Sequence, residues 1–164
     1  MYYCYLPTDI GELLLAGTAD ALHVVGFPEG PRRRDPAPDW IFNEQPFAEA
    51  REQLLAYFAG ERKSFDLPLA PAGTEFQLAV LAALQVIPYG TTVSYADIAR
   101  QLGRPKAVRA VGAANGRNPI PIIIPCHRVI GSGGQLTGFG GGLPVKEALL
   151  RLEMEHSQFP HVAR

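Results

Sequence analysis

The stretch Asn118-Pro119-Ile120-Pro121-Ile122-Ile123-Ile124-Pro125 makes the hardest demand on any fold this chain can adopt. Its four isoleucines must leave water, a gain of roughly 2 kcal/mol each when fully buried. A β-branched run bounded by Pro119 and Gly131 suits a strand. Pro121 cannot donate to a ladder, so the strand is expected at an edge or irregular. At its end stands Pro125-Cys126-His127-Arg128-Val129, and a glycine-rich loop over residues 131–142 follows. A thiol becomes a strong nucleophile only as the thiolate, and a neighbouring imidazole is a base that can make it one. The plainer alternative is a small buried Cys126 beside a structurally satisfied His127.

The rest of the composition narrows the setting. A chain of 164 residues, 47% of them hydrophobic, can bury a core as one large domain or two small ones. Two cysteines, Cys4 and Cys126, are too few for a disulfide framework and spell out no metal site, so a reducing compartment and no metal are expected. Met1-Tyr2-Tyr3-Cys4-Tyr5 lacks the pattern of a secretory signal, and no apolar stretch is long enough for a bilayer. A soluble, cytoplasmic protein is expected. Charge is uneven. Residues 1–73 hold six basic and eleven acidic side chains, whereas residues 74–164 hold nine basic and five acidic. Between Arg100 and Arg128 there are six basic residues and no acidic one, which suggests a phosphate-attracting surface.

Taken in order, residues 2–7 and 12–16 read as a hairpin turning at Asp9-Ile10-Gly11, with a third strand over 21–27. Residues 28–38, with Arg32-Arg33-Arg34, read as a solvated loop. Helical spacing runs from Pro46 to Ala59, stopped by Gly60. A short extended piece over 64–69 leads to Pro71 and Gly73, where a domain boundary is expected between 1–73 and 74–164. Thr74-Glu75-Phe76-Gln77 has the form of a capping box, so a helix is expected through Gln85. Ser94 caps the next helix, Gly103-Arg104-Pro105 makes a tight turn, and Lys106 to Asn115 forms the one after: the helix-turn-helix pattern.

The second helix of that pair is an unusual DNA reader. Base reading in the major groove calls for Arg, Asn or Gln, but Ala107, Ala110, Gly112, Ala113 and Ala114 surround a single long side chain, Arg109. Small residues permit close approach to a shallow surface, which suits the minor groove. A sequence-indifferent docking helix, a mid-helix arginine and a thiol–imidazole pair together suggest chemistry on a base taken out of its stack.

The run from Gly112-Ala113-Ala114-Asn115 through Asn118 to Ile130 resembles the signature of the 6-O-alkylguanine-DNA alkyltransferases. Val93-Ser94-Tyr95, Pro105-Lys106-Ala107-Val108-Arg109-Ala110-Val111-Gly112, Gly141-Gly142-Leu143 and Lys146-Glu147-Ala148-Leu149-Leu150 extend the likeness. It is specific over residues 74–155 and loose over 1–73. The resemblance implies an α+β fold: an N-terminal ribonuclease H-like domain with a small antiparallel sheet, then a C-terminal winged-helix, helix-turn-helix-like domain.

It also implies roles. Cys126 would accept the alkyl group irreversibly, with His127 as base through a water, Glu153 orienting that histidine, and Asn118 bracing the segment. Tyr95 would turn a phosphate and hydrogen-bond the guanine ring. Arg109 would fill the space of the flipped nucleotide, with Ser94, Arg104, Ala107, Ala110 and Gly112 on the DNA-facing surface. The backbone of Cys126 and Val129, and the loop at Phe139 and Gly140, would line the pocket. Phe139 and Gly140 stand where relatives often carry tyrosine and serine, which bears on pocket width. The implied partner is double-stranded DNA containing alkylated guanine, with no membrane and no cofactor. The protein is expected as a monomer, with cooperation along DNA left open. Two other classes compete: a non-catalytic reader of alkylated DNA, and a Cys-His hydrolase that turns over.

Overall fold

The structure, a computed structural model, describes residues 1–157; the remaining seven, including Arg164 of the charge count and the end of the 74–164 span, lie outside the described residues. Strand β1 (Tyr2–Thr8) and strand β2 (Gly11–Gly17) form the expected hairpin. Thr8 holds its turn, since its hydroxyl donates to the Gly11 carbonyl at 2.7 Å and accepts from the Ile10 N–H at 3.2 Å. Strand β3 (Leu22–Gly26) pairs antiparallel with β2. Strand β4 (Ile41–Phe42), which the sequence did not reveal, pairs parallel with β1, so the order is β3-β2-β1-β4 and the sheet is mixed rather than purely antiparallel. Two residues are too short for periodicity to mark.

Helix α1 (Ala48–Phe58) covers this sheet with Ala50, Leu54 and Tyr57 buried. Its buried Gln53 clamps the extended piece at 64–69: the side-chain amide donates to Asp66 O at 3.0 Å and the side-chain oxygen accepts from Asp66 N at 2.9 Å. Helix α2 (Glu75–Gln85) starts at the predicted capping box, Thr74 with Gln77. Val80, Leu81 and Leu84 face the core, and truncating such a leucine to alanine costs about 2–5 kcal/mol. Helix α3 (Tyr95–Gln101) is capped reciprocally by Ser94 and Asp97. Gly103, at φ +73°, makes the sharp turn out of it. Helix α4 (Val108–Gly116) begins two residues later than expected, because Pro105 and Lys106 form a turn of their own rather than the first helical turn. Strands β5 (Val93–Ser94) and β6 (Val129–Ile130) pair in parallel, and helix α5 (Leu143–Glu155) ends the described chain.

The segment before Cys126 departs most from expectation. Residues 120–124 are all buried, as predicted, but they form a tight turn, not a strand. Asn118 closes it: its side-chain oxygen accepts from Ile120 N at 3.0 Å and its amide donates to Ile124 O at 2.7 Å. Ile124 N donates back to Ile120 O at 3.0 Å. Ile122 sits at φ 75°, a left-handed backbone that a β-branched residue adopts only where its surroundings over-determine it. Prolines 119, 121 and 125 remove the donors a ladder would need.

The two halves meet along a backbone seam. Val25 N donates to Pro119 O at 2.9 Å, and Arg32 N donates to Gly140 O at 2.9 Å. Gly30, at φ +97°, lies so close that a Cβ there would stand 2.6 Å from both Gly140 O and Gly141 C. Phe27 and Phe139 pack across the same seam, their ring centroids 5.4 Å apart.

Candidate active site

Cys126 lies on a 3₁₀ turn (Cys126–Arg128) that the Asn118-closed turn delivers into the core. It is one wall of a cavity of about 100 Å³ whose lining also includes Asn115, Asn118, Phe139, Gly140, Arg32 and Arg34. The arginine loop is solvated as expected, yet two of its side chains reach the mouth of the thiol cavity. A wider groove adjoins it, bounded by Tyr95, Val108, Gly112, Thr137 and Phe139. The Tyr95 and Thr137 hydroxyls share a hydrogen bond of 2.6 Å across that groove.

Behind the thiol is a buried polar cluster. His127 and Glu153 are both 0% exposed. His127 Nε2 lies 2.6 Å from Glu153 Oε2. A carboxylate only accepts, so the proton of this bond is on Nε2 and Nδ1 carries the lone pair. Nδ1 is buried and makes no hydrogen bond among the described residues. Burial holds the His127 pKa below its ordinary value, with Glu153 opposing and the charges of Arg128 and Lys146 adding to the lowering. The imidazole is therefore neutral at pH 7 and can accept a proton at Nδ1.

Glu153 receives four further hydrogen bonds. Arg128 donates from Nε to Oε1 at 2.8 Å and from Nη2 to Oε2 at 3.0 Å. Gly90 N donates to Oε1 at 3.1 Å, and Tyr57 Oη donates to Oε2 at 2.6 Å. Burial by itself would raise the carboxyl pKa, but the hydrogen bonds and charges of His127 and Arg128 hold it well below the usual carboxylate range. Arg128, counted from sequence with the basic surface, is buried and spent on this cluster. A buried arginine is explained by a buried carboxylate partner, and a pairing 25 residues apart leaves no local signal.

Lys146 is likewise 0% exposed. Its Nζ donates to Val129 O at 2.7 Å and to Thr137 O at 3.1 Å, tying β6 to the glycine-rich loop. Burial pushes the Cys126 thiol up to about 11, with the Asn118 side chain and the Lys146 charge pulling the other way. The resting thiol is thus protonated and shielded.

The structure brings together Cys126, Asn118, Phe139 and Gly140 on one cavity, Tyr95 and Gly112 on the adjoining groove, and His127 with Glu153 behind. Val129 stands off both cavity walls, its carbonyl already accepting Lys146. Arg104, Arg109 and Ala110 are exposed on the helix-turn-helix, and Ala107 and Gly112 are half-buried beside them. The Ser94 hydroxyl is occupied by its capping bond from Asp97 N at 3.0 Å. Sequence reasoning missed Tyr57, Asn115, Lys146 and Thr137. For Tyr57 the one signal was a hydroxyl at a core position of α1, where the neighbouring aromatic is phenylalanine. No group of three or more metal-ligating side chains stands together among the described residues, and no helix there is long and apolar enough to cross a membrane.

Comparison with known proteins bears directly on this arrangement. Residues 1–71 match the family model described as 6-O-methylguanine DNA methyltransferase, ribonuclease-like domain, and residues 75–155 match its DNA binding domain. A methylated-DNA–protein-cysteine methyltransferase of Methanosarcina acetivorans is 56% identical over 153 residues, 93% of this chain and 98% of that protein. One from Mycolicibacterium paratuberculosis is 52% identical over 158 residues, covering 94% and 93%. The Mycobacterium tuberculosis OGT solved in complex with DNA superposes with a TM-score of 0.90 at 48% identity, covering 95% of this chain and 94% of that one.

Proposed function

The chain belongs to the 6-O-methylguanine DNA methyltransferase family, whose members repair DNA by moving an alkyl group onto a protein cysteine, and on that premise we propose that Cys126 is the acceptor here. The observation that carries the reading is a cavity-lining thiol followed directly in the chain by a buried imidazole whose Nε2–H is held by Glu153 and whose Nδ1 has no hydrogen-bond partner among the described residues.

In this reading residues 1–73 and 74–164 act as two domains on one duplex. Helix α4 enters the minor groove, where Ala107, Ala110 and Gly112 allow close approach, Ser94 and Arg104 face the backbone, and Arg109 takes the space of the flipped nucleotide. Tyr95 exchanges its bond to Thr137 for the guanine ring nitrogen. The Cys126 proton passes through a water to His127 Nδ1. The thiolate attacks the alkyl carbon, the carbon–oxygen bond breaks, and its electron pair stays with the guanine, which takes up a proton. A thioether and an intact base result, and thiol and base supply every atom. A thioether is not reversed, so one chain repairs one lesion. The 6-oxygen of guanine is the preferred site over the 4-oxygen of thymine.

Intact-protein mass after incubation with excess duplex carrying one 6-O-methylguanine tests the assignment. The expected result is a gain of one methyl group, saturating at one per chain and absent in Cys126→Ala. Tight binding with unchanged mass would instead support a non-catalytic reader. Repeated turnover without mass gain would support the hydrolase.

A further inference from the structure

We propose that Tyr57, from the N-terminal domain, is a positioning residue for alkyl transfer, holding the Glu153 carboxylate that orients His127; the proposal rests on the reading of Cys126 as acceptor. Tyr57 comes from α1, 96 residues away from Glu153 in sequence, and is 0% exposed. Its hydroxyl donates at 2.6 Å to Oε2, the same oxygen that accepts His127 Nε2–H at 2.6 Å. Its ring is fixed edge-on by Phe58 (5.3 Å) and Tyr89 (6.3 Å), and packed at a tilt on Phe65 (5.5 Å). A phenylalanine would fill the same space. A buried hydroxyl costs free energy unless it is bonded, so its value here lies in where it pins the carboxylate. Burial and the Glu153 charge push the phenol pKa far up, so it remains a donor throughout the working range.

The electrostatic consequence has a sign. The charged and titratable groups facing His127 and Glu153 are Arg128 on the 3₁₀ turn, Lys146 on α5, Tyr89 after α2 and Tyr57 on α1. Of these, Tyr57 at 2.6 Å and Arg128 Nη2 at 3.0 Å donate to the oxygen that faces the imidazole, and the Tyr57 bond is the shorter. Removing that donation leaves Oε2 more basic and stabilises the imidazolium. The acid limb of the transfer rate, where His127 protonates and stops acting as base, then moves to higher pH.

The test is the single-turnover rate of alkyl transfer from a 6-O-methylguanine duplex, measured against pH. Tyr57→Phe should slow transfer about tenfold near neutrality, the worth of one charge-assisted hydrogen bond, and move the acid limb upward. Site-specific 3,5-difluorotyrosine at position 57 is a stronger donor and should move the limb downward while keeping the fold. Phe65→Leu loosens the packing of the same ring without touching the hydroxyl, so it should lower Tm and leave the limb in place. If Tyr57→Phe and the fluorinated protein both keep the wild-type rate and limb, the hydroxyl is merely structural and the proposal fails. If the wild type gains no methyl group on Cys126, the reading of the site fails first and takes this proposal with it.

Discussion

The hydrogen-bonded cluster around Glu153 and the helix face proposed above to meet DNA are built on opposite principles. Around Glu153 five donors converge on two oxygens from α1, the loop after α2, and the Cys126–Arg128 turn, and all four side chains involved are buried. On α4 the exposed positions are Val108, Arg109, Ala110 and Ala113, and among the described residues no hydrogen bond holds these side chains to the rest of the protein. The first region is over-determined, so that one proton stays on one nitrogen. The second is sparsely determined, so that a duplex can supply the missing contacts. Loss of a side chain should therefore cost fold and chemistry together in the relay, but affinity alone on α4.

Glu153→Gln would break the comparison most violently. It removes the charge that Arg128 and His127 answer to and leaves a buried guanidinium uncompensated. We expect a loss of about 3–5 kcal/mol in stability by urea unfolding, together with loss of transfer in the mass assay. A stability change under about 1 kcal/mol would mean the cluster is not over-determined.

The pH dependence of stability comes next in size. Glu153 and His127 both have folded pKa values below their unfolded ones, so the unfolded chain binds more protons as pH falls. Stability from His127 is complete above about 6.5 and is lost below it; that from Glu153 is lost lower, as pH falls through the carboxylate range. Cys126 has the opposite sign. Its folded pKa of about 11 lies above the ordinary 9.0, so stability is complete below pH 9 and is lost as pH rises toward 11. The slope is about 1.4 kcal/mol per pH unit. Unfolding free energies of wild type and Cys126→Ala should diverge across that window, and iodoacetamide labelling of Cys126 should lag that of an ordinary thiol there.

Arg109→Ala should give the smallest structural effect and so sharpen the contrast. The unfolding free energy should stay within about 0.5 kcal/mol of wild type, while affinity for duplex DNA falls roughly tenfold or more, about 1.4 kcal/mol. Transfer from the free base 6-O-methylguanine should be unchanged. A parallel loss on the free base would place Arg109 in the relay's company instead.

The same contrast explains what the sequence disclosed. Features decided within four residues were legible: the hairpin turn at residues 8–11, the box at Thr74–Gln77, the Ser94 cap, and the apolar face of α2. The thiol–imidazole pair was legible from its own chemistry, Glu153 was named through family likeness, and His127 and Glu153 lie within hydrogen-bond reach. What stayed hidden depends on partners far along the chain. Arg128 and Lys146 look like surface charges until Glu153 and the Val129 carbonyl are brought to them. Residues 120–124 look like a strand until Asn118 bonds both ends of the segment and folds it into a turn. Strands β4, β5 and β6 have two residues each, and only their neighbours define them.

The seam at Gly30 has a bearing on what can be repaired. Arg32 and Gly140 line the cavity that Cys126 also lines, and there the loop at 30–32 meets the loop at 140–141, main chain against main chain. A gap framed that way acts as a gauge whose setting is the length of two loops rather than the identity of any side chain. Trimming Phe139 or Arg32 would change how the opening is lined and leave its span alone. A version of this protein that accepts bulkier adducts is to be sought by inserting or deleting residues in one loop or the other, because trimming the side chains that line the opening leaves its main-chain frame in place.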